Sequence, residues 1–352
     1  MTIRRSDWDL ATGNNDGTTW ADAFKTPADA TAAASAGDIM LCRGTSNSLM
    51  TLATAGTQYS PITWVGVNAS GVYEYGTRCV LDANSAIANC LDWASKDYNR
   101  FMAFDFLNGT GDNVIGVNKD NVIYDCRFVG AGASGLSSTT CSQNFFKLIQ
   151  VLNSTANGIL IGNDNVVENG FFNGNGSNDI SAYATTRLSV SQTIMANSGL
   201  NSISCGSANI DGCIFNNSGQ IAIQNAGSVF NVSVKNSLFT NMSTGGAFIS
   251  IFYTGAFIAS NNAFWNNSGT KLGNSATYTI FPYGSSDVDP GEDPFVDEAN
   301  DDLTIKQSIT SLINIAVALS GNNISYEDIA MGTIRSAGGG GGRLVNASLA
   351  GV

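Results

Sequence analysis

The chain has 352 residues, with 16 Lys and Arg against 28 Asp and Glu, a net charge of −12, no histidine and 43% apolar residues. That apolar share supports a sizeable core and excludes a disordered chain. The shortage of basic side chains excludes the cationic footprint that a phosphate backbone requires, so nucleic acid is not an expected partner. Without histidine there is no Ser-His-Asp or Cys-His catalysis and no HExxH zinc site, which leaves carboxylates, Lys, Arg, Tyr or Cys to carry any chemistry.

The opening MTIRRSDWDL has two arginines but no apolar stretch behind them of the kind a secretory signal carries, which predicts synthesis and folding in a reducing cytoplasm. Thr26 is placed to cap a helix that starts at Pro27. Asp29 then sits in its first turn, an alanine-rich run follows, and Gly37 can end it. The cysteines at 42, 79, 90, 126, 141, 205 and 213 form no C-x-x-C pair and read as free, buried thiols. The longest apolar stretch, 248–259, is broken by Ser250, Thr254 and Gly255 and is too short to span a bilayer, so no membrane is expected.

A repeat fills the middle of the chain. YDCRFVGAG, ENGFFNGNG, SQTIMANSG, DGCIFNNSG, KNSLFTNMS and NNAFWNNSG align on Phe128, Phe172, Met195, Phe215, Phe239 and Trp265, with Phe106 as an earlier anchor and a weaker rung near Leu152. A period near 22 residues, β-branched and aromatic runs, and Asn, Gly and Ser between them predict an all-β fold, a single-stranded right-handed parallel β-helix. About ten coils at ~4.8 Å each would make a rod roughly 45–50 Å long. The helix at Pro27 would plug its first coil. Gly130, Gly174, Asn197, Asn217, Asn241 and Asn267 form a turn column whose amides can bond from coil to coil.

Strand alternation then assigns the faces. The column Cys126, Gly170, Thr193, Cys213, Ser237 and Ala263 points inward beside the large anchors. An outward column before it holds Tyr124, Glu168, Ser191, Asp211 and Lys235. Glu168 and Asp211 stand two coils apart, about 9.6 Å, at or just past the upper limit for the paired carboxylates of an inverting glycosidase and too far for a retaining pair. A second outward column contains Phe171, Ile194, Ile214, Leu238 and Phe264, which predicts an exposed apolar stripe and hence an interface.

Beyond the coils, eight acids crowd between Asp287 and Asp302, and Asp287, Asp289 and Asp293 are candidates for a calcium site, although the segment lacks the EF-hand ligand order. Five glycines, 338–342, tether a short apolar tail in which Leu344, Val345 and Leu349 could dock on another chain. TGNNDGTTWADAF (12–24), followed by a short helix and AGD (36–38), resembles the opening segment of right-handed parallel β-helix proteins. DPFVDEANDDLTI (293–305) and SYEDIAMGTI (325–334) resemble the closing segments of the same pectate-lyase-like superfamily, with Met331 and Thr333 departing from the usual pattern. The resemblance implies the fold and leaves open lyases, hydrolases, phage tailspikes and non-enzymatic proteins.

The chain therefore divides into an opening cap (1–60), coils (61–280), a closing region (281–335) and a flexible tail (336–352). The leading expectation is a non-enzymatic structural protein of a bacteriophage virion, made in the host cytoplasm. It would partner other virion proteins and itself, as a homo-oligomer such as a trimer, through the stripe and tail, with no cofactor. The alternative is an extracellular or tailspike-like enzyme, a polysaccharide lyase or glycosidase acting on host surface polysaccharide, with Glu168 and Asp211 as its carboxylates.

Overall fold

The computed structural model describes residues 1–182, 187–225, 230–242, 249–250, 255–260 and 262–267, together with two short strands further on. The chain winds into a parallel β-solenoid of about nine turns. Three parallel sheets line it, here called A, B and C in the order the chain meets them, with eleven, ten and nine strands among the described residues.

Each coil runs from sheet A to sheet B, on to sheet C and back to sheet A one rung higher. Single residues with positive φ make the corners. Between sheets A and B these include Asp125, Asn169 and Asn236, and at the end of sheet B Gly130, Gly174, Asn197, Asn217 and Asn241. Asn and Gly enter the left-handed region at the least cost, which is why the turn column is built from them. The expected amide ladder is present in part: Asn217 Nδ2 donates to Asn197 Oδ1 at 2.8 Å, whereas Asn197 Nδ2 and Asn241 Nδ2 reach Asn173 Oδ1 and Asn216 Oδ1, one residue ahead of the column, each at 2.9 Å.

Inside, the large column reads Phe106, Phe128, Val151, Phe172, Met195, Phe215, Phe239 and Phe264, each nearly or fully buried. Phe215 stacks on Phe239 at 4.7 Å and Phe239 on Phe264 at 5.1 Å between ring centroids. Two rungs differ from the alignment by one residue: Val151 replaces Leu152, and Phe264 replaces Trp265. In the second of these rungs, two adjacent aromatic residues offered two registers. A one-residue slip exchanges every face, and the stacking of Phe264 on Phe239 selects one of them. Asn262 then takes the small inward position, its Oδ1 accepting from the Ser237 N–H at 3.0 Å, and Asn266 rather than Asn267 continues the turn column.

The apolar stripe is not exposed. Phe171, Ile194, Ile214 and Leu238 do lie on the outer side of sheet B, but they are 2%, 3%, 5% and 0% exposed, and Phe264 belongs to the interior. Apolar surface of this extent is removed from water at about 25 cal/mol per Å², so a covered face is the stable outcome, and across these four strands sheet B is buried on both sides. The tail residues Leu344, Val345 and Leu349 lie outside the described residues.

Helix α1 (Pro27–Ala33) closes the first coil as expected. Thr26 Oγ1 accepts from the Asp29 N–H at 3.1 Å and donates to the Asp29 carboxylate at 2.6 Å. The helix ends at Ala33, ahead of Gly37, which makes the left-handed turn into the next strand. The outer edge of the first strand, Ile3–Asp7, is paired in part by Phe24, whose backbone exchanges hydrogen bonds with Arg5 and Asp7, which shortens the edge open to another chain. The closing segment contains the antiparallel pair Phe295–Asp297 and Asp302–Ile305. All seven cysteines are free and buried, and burial pushes the Cys90 thiol up to about 11.

A second Asn ladder lies inside the corner that leads into sheet A. The N–H of Asn99 donates to Asn121 Oδ1 (2.7 Å), that of Asn121 to Asn144 Oδ1 (2.9 Å), and that of Asn144 to Asn165 Oδ1 (3.1 Å). All four are buried, and Trp64 and Trp93 donate their indole N–H groups to Asn99 and Asn121. The ladder pairs backbone donors that the coil interior hides from water.

Candidate functional site

The outer face of sheet A is polar and open across the middle coils. Its strands Asn165–Glu168, Arg187–Ser191, Ser207–Asp211 and Phe230–Lys235 lie side by side in parallel register. Near the strand ends, one outward column runs Lys147, Glu168, Ser191, Asp211, Lys235. Glu168 and Asp211 thus share a column with a single serine between them, as the repeat predicted. The separation of two rungs corresponds to about 9.6 Å.

Each carboxylate has a partner. Lys147 Nζ is 3.1 Å from Glu168 Oε1, with both side chains about one-third exposed. Asp211 Oδ1 accepts from Asn236 Nδ2 at 2.7 Å. Asn236 sits at the left-handed corner just past the strand, which aims its amide back at the column.

Toward the strand starts the same face holds a groove of about 520 Å³ whose lining includes Asp164, Val166, Arg187, Ser189, Asn209 and Asn231. Its volume suits a small ligand or a segment of a polymer. Ser189 and Ser191 are two residues apart on one strand, so the groove and the carboxylate column are separated by about 7 Å. Three acids (Asp164, Glu168, Asp211) face three bases (Lys147, Arg187, Lys235), so the face is locally neutral although the chain is strongly acidic. Hydroxyls, amides and balanced charges make it a surface for hydrogen bonding to a polyhydroxylated ligand.

A second polar cluster lies over the corner between sheets A and B. Arg78 pairs with Asp125 and reaches Asp105 at 3.6 Å, Arg127 pairs with Asp105, and Tyr73 donates to Asp125 Oδ2 at 3.2 Å. Burial raises the Asp125 carboxyl despite the opposing pull of Arg78, and burial with the Asp125 charge pushes Tyr75 up to about 12. These charges satisfy one another. The cluster fastens the segment around Tyr73–Arg78 across two further coils, a structural clamp that sequence spacing gave no reason to expect. Asp287, Asp289 and Asp293 lie outside the described residues.

No protein-family model matches the chain, and no curated protein is significantly similar to it in sequence. Among solved structures, the pectate lyase Pel9A superimposes with a TM-score of 0.61 at 15% identity, over 88% of this chain and 86% of its own. The GH136 lacto-N-biosidase from Eubacterium ramulus gives 0.54 at 10% identity, over 80% and 67%. An alginate lyase from Paenibacillus sp. str. FPU-7 gives 0.52 at 12% identity, over 78% and 97%. At these identities the likeness is one of architecture, and it agrees with the strand order, register and corners described above: this chain has the right-handed parallel β-helix fold of pectate-lyase-like proteins.

Proposed function

We propose that the protein acts on a polysaccharide laid along the outer face of sheet A, and that Glu168 and Asp211 serve as the carboxyl pair of an inverting glycoside hydrolase. The observation that carries this reading is the placement of two carboxylates in one outward column, one coil apart from adjacency, beside a Ser- and Asn-lined groove. At about 9.6 Å they leave room for a water between carboxylate and sugar, and they are too far apart for a covalent glycosyl intermediate. Glu168, paired with Lys147, is the better general base to activate that water. Asp211 is then assigned the role of protonating the leaving glycosidic oxygen. The three fold neighbours named above are carbohydrate-active enzymes, which supports a glycan substrate over a purely structural role.

Two of those neighbours are lyases, which favours a second reading: β-elimination on a uronate-containing polymer, with Lys235 as base. The products separate the two. Incubation with soluble neutral and uronate-containing polysaccharides should give new reducing ends without unsaturated sugars, and Glu168→Gln or Asp211→Asn should lower turnover by about 10²–10⁴-fold. Unsaturated products lost on Lys235→Met would establish the lyase instead. Absence of turnover on every polymer, or turnover indifferent to all three substitutions, would remove the site assignment.

A further inference from the structure

Asp179 immediately precedes the sheet C strand Ile180–Ala182, and its side chain is 0% exposed. Its Oδ1 accepts from Asn175 Nδ2 at 2.8 Å, and its Oδ2 is in short contact with the Ser198 hydroxyl. From there Ser198 Oγ lies 3.2 Å from Ser202 Oγ, and Ser202 Oγ lies 2.6 Å from Ser218 Oγ, all of them buried. A line of hydroxyls therefore crosses three successive coils inside the solenoid and ends on a carboxyl group.

Among the described residues nothing neutralises that carboxyl. Its side-chain partners among the described residues are one amide and one hydroxyl, and no charged group among them acts on it. The strands on either side bring Gly158 and Ser202 to its level, neither of them ionisable. An ionised carboxylate has about four acceptor sites, and two neutral donors leave a buried charge poorly compensated. A neutral acid fits better: Oδ2–H donates to Ser198, Ser198 to Ser202, and Ser202 to Ser218, with every hydrogen running the same way. Loss of the proton would turn the Ser198 hydroxyl back toward Oδ2 and break that order.

We propose that Asp179 is held as a neutral carboxylic acid in the folded protein, so that the coils it joins take up a proton on folding and loosen when that proton is lost. Burial pushes the Asp179 carboxyl up to about 7, against the opposing pull of Asn175 and Ser198. Because the folded value lies above the unfolded one of about 3.9, the stabilisation is complete below roughly pH 4 and disappears as pH rises through about 7. This holds whether or not the protein acts on a glycan.

Urea unfolding of the full chain and of Asp179→Asn between pH 5 and 8 tests it. Asparagine keeps an acceptor for Asn175 and an N–H for Ser198, and so imitates the neutral acid at every pH. The variant should be the more stable protein at pH 8, with the ratio of the two unfolding constants shrinking on the order of a hundredfold as pH falls to 5. A ratio that does not change with pH would overturn the proposal. Should the variant fail to fold, the ¹³C resonance of the wild-type Asp179 carboxyl decides instead: titration near neutral pH supports the proposal, and titration complete below pH 5 overturns it.

Discussion

Sheets A and B belong to the same coils and share one interior, yet their outer faces are opposites. Sheet A presents Ser189, Ser191, Asn209, Asp211 and Lys235 to solvent, whereas the outer side of sheet B presents Phe171, Ile194, Ile214 and Leu238 to a covered layer. Alternation along a strand decides which way a side chain points. It does not decide whether anything lies on top. In a solenoid both sides of a sheet can be core, and an apolar outward column is the signature of the covered side.

This contrast can be broken by substitution. Leu238→Asp would bury an unpaired charge on the covered face. It should cost several kcal/mol, enough to prevent folding or collapse the urea midpoint, and Leu238→Ala should cost about 2–5 kcal/mol. Wild-type-like midpoints for both would show that sheet B is open after all. Next in size is Asn144→Ala, which leaves the buried Asn121 N–H without its acceptor and should cost about 1–3 kcal/mol in the same assay. On the open face the effects should be small. Asn209→Ala should stay within about 0.5 kcal/mol. Lys147→Met should cost less than about 1 kcal/mol, an effect that high salt erases, since its ion pair with Glu168 is partly exposed.

The solenoid was legible because each coil returns the same kind of residue to the same angular position, so Phe128, Phe172, Phe215 and Phe239 announce one another at long separation. The carboxylate column was legible for the same reason: Glu168 and Asp211 each stand four residues ahead of an aromatic anchor, Phe172 and Phe215. The inner ladder of Asn99, Asn121, Asn144 and Asn165 carries an equally regular spacing. It was missed because the alignment was keyed to the corner after sheet B. Contacts between residues at unlike positions of their coils leave no such trace. The Arg78–Asp125 pair joins residues 47 apart through an irregular segment, and the hydroxyl line from Asp179 depends on side-chain directions at three corners. An outward face also reads the same in sequence whether it is wet or dry.

The constant pitch of the coils makes the solenoid a ruler graduated in whole rungs. Two side chains in one column can be separated only by multiples of about 4.8 Å, so natural variation adjusts their distance by inserting or deleting an entire coil. Removing residues 169–191 would join Glu168 to Gln192 and leave every corner in phase, while bringing the Asp211 carboxylate onto the neighbouring rung. The stereochemical outcome available to such a pair would then be set by how many times the chain winds between them.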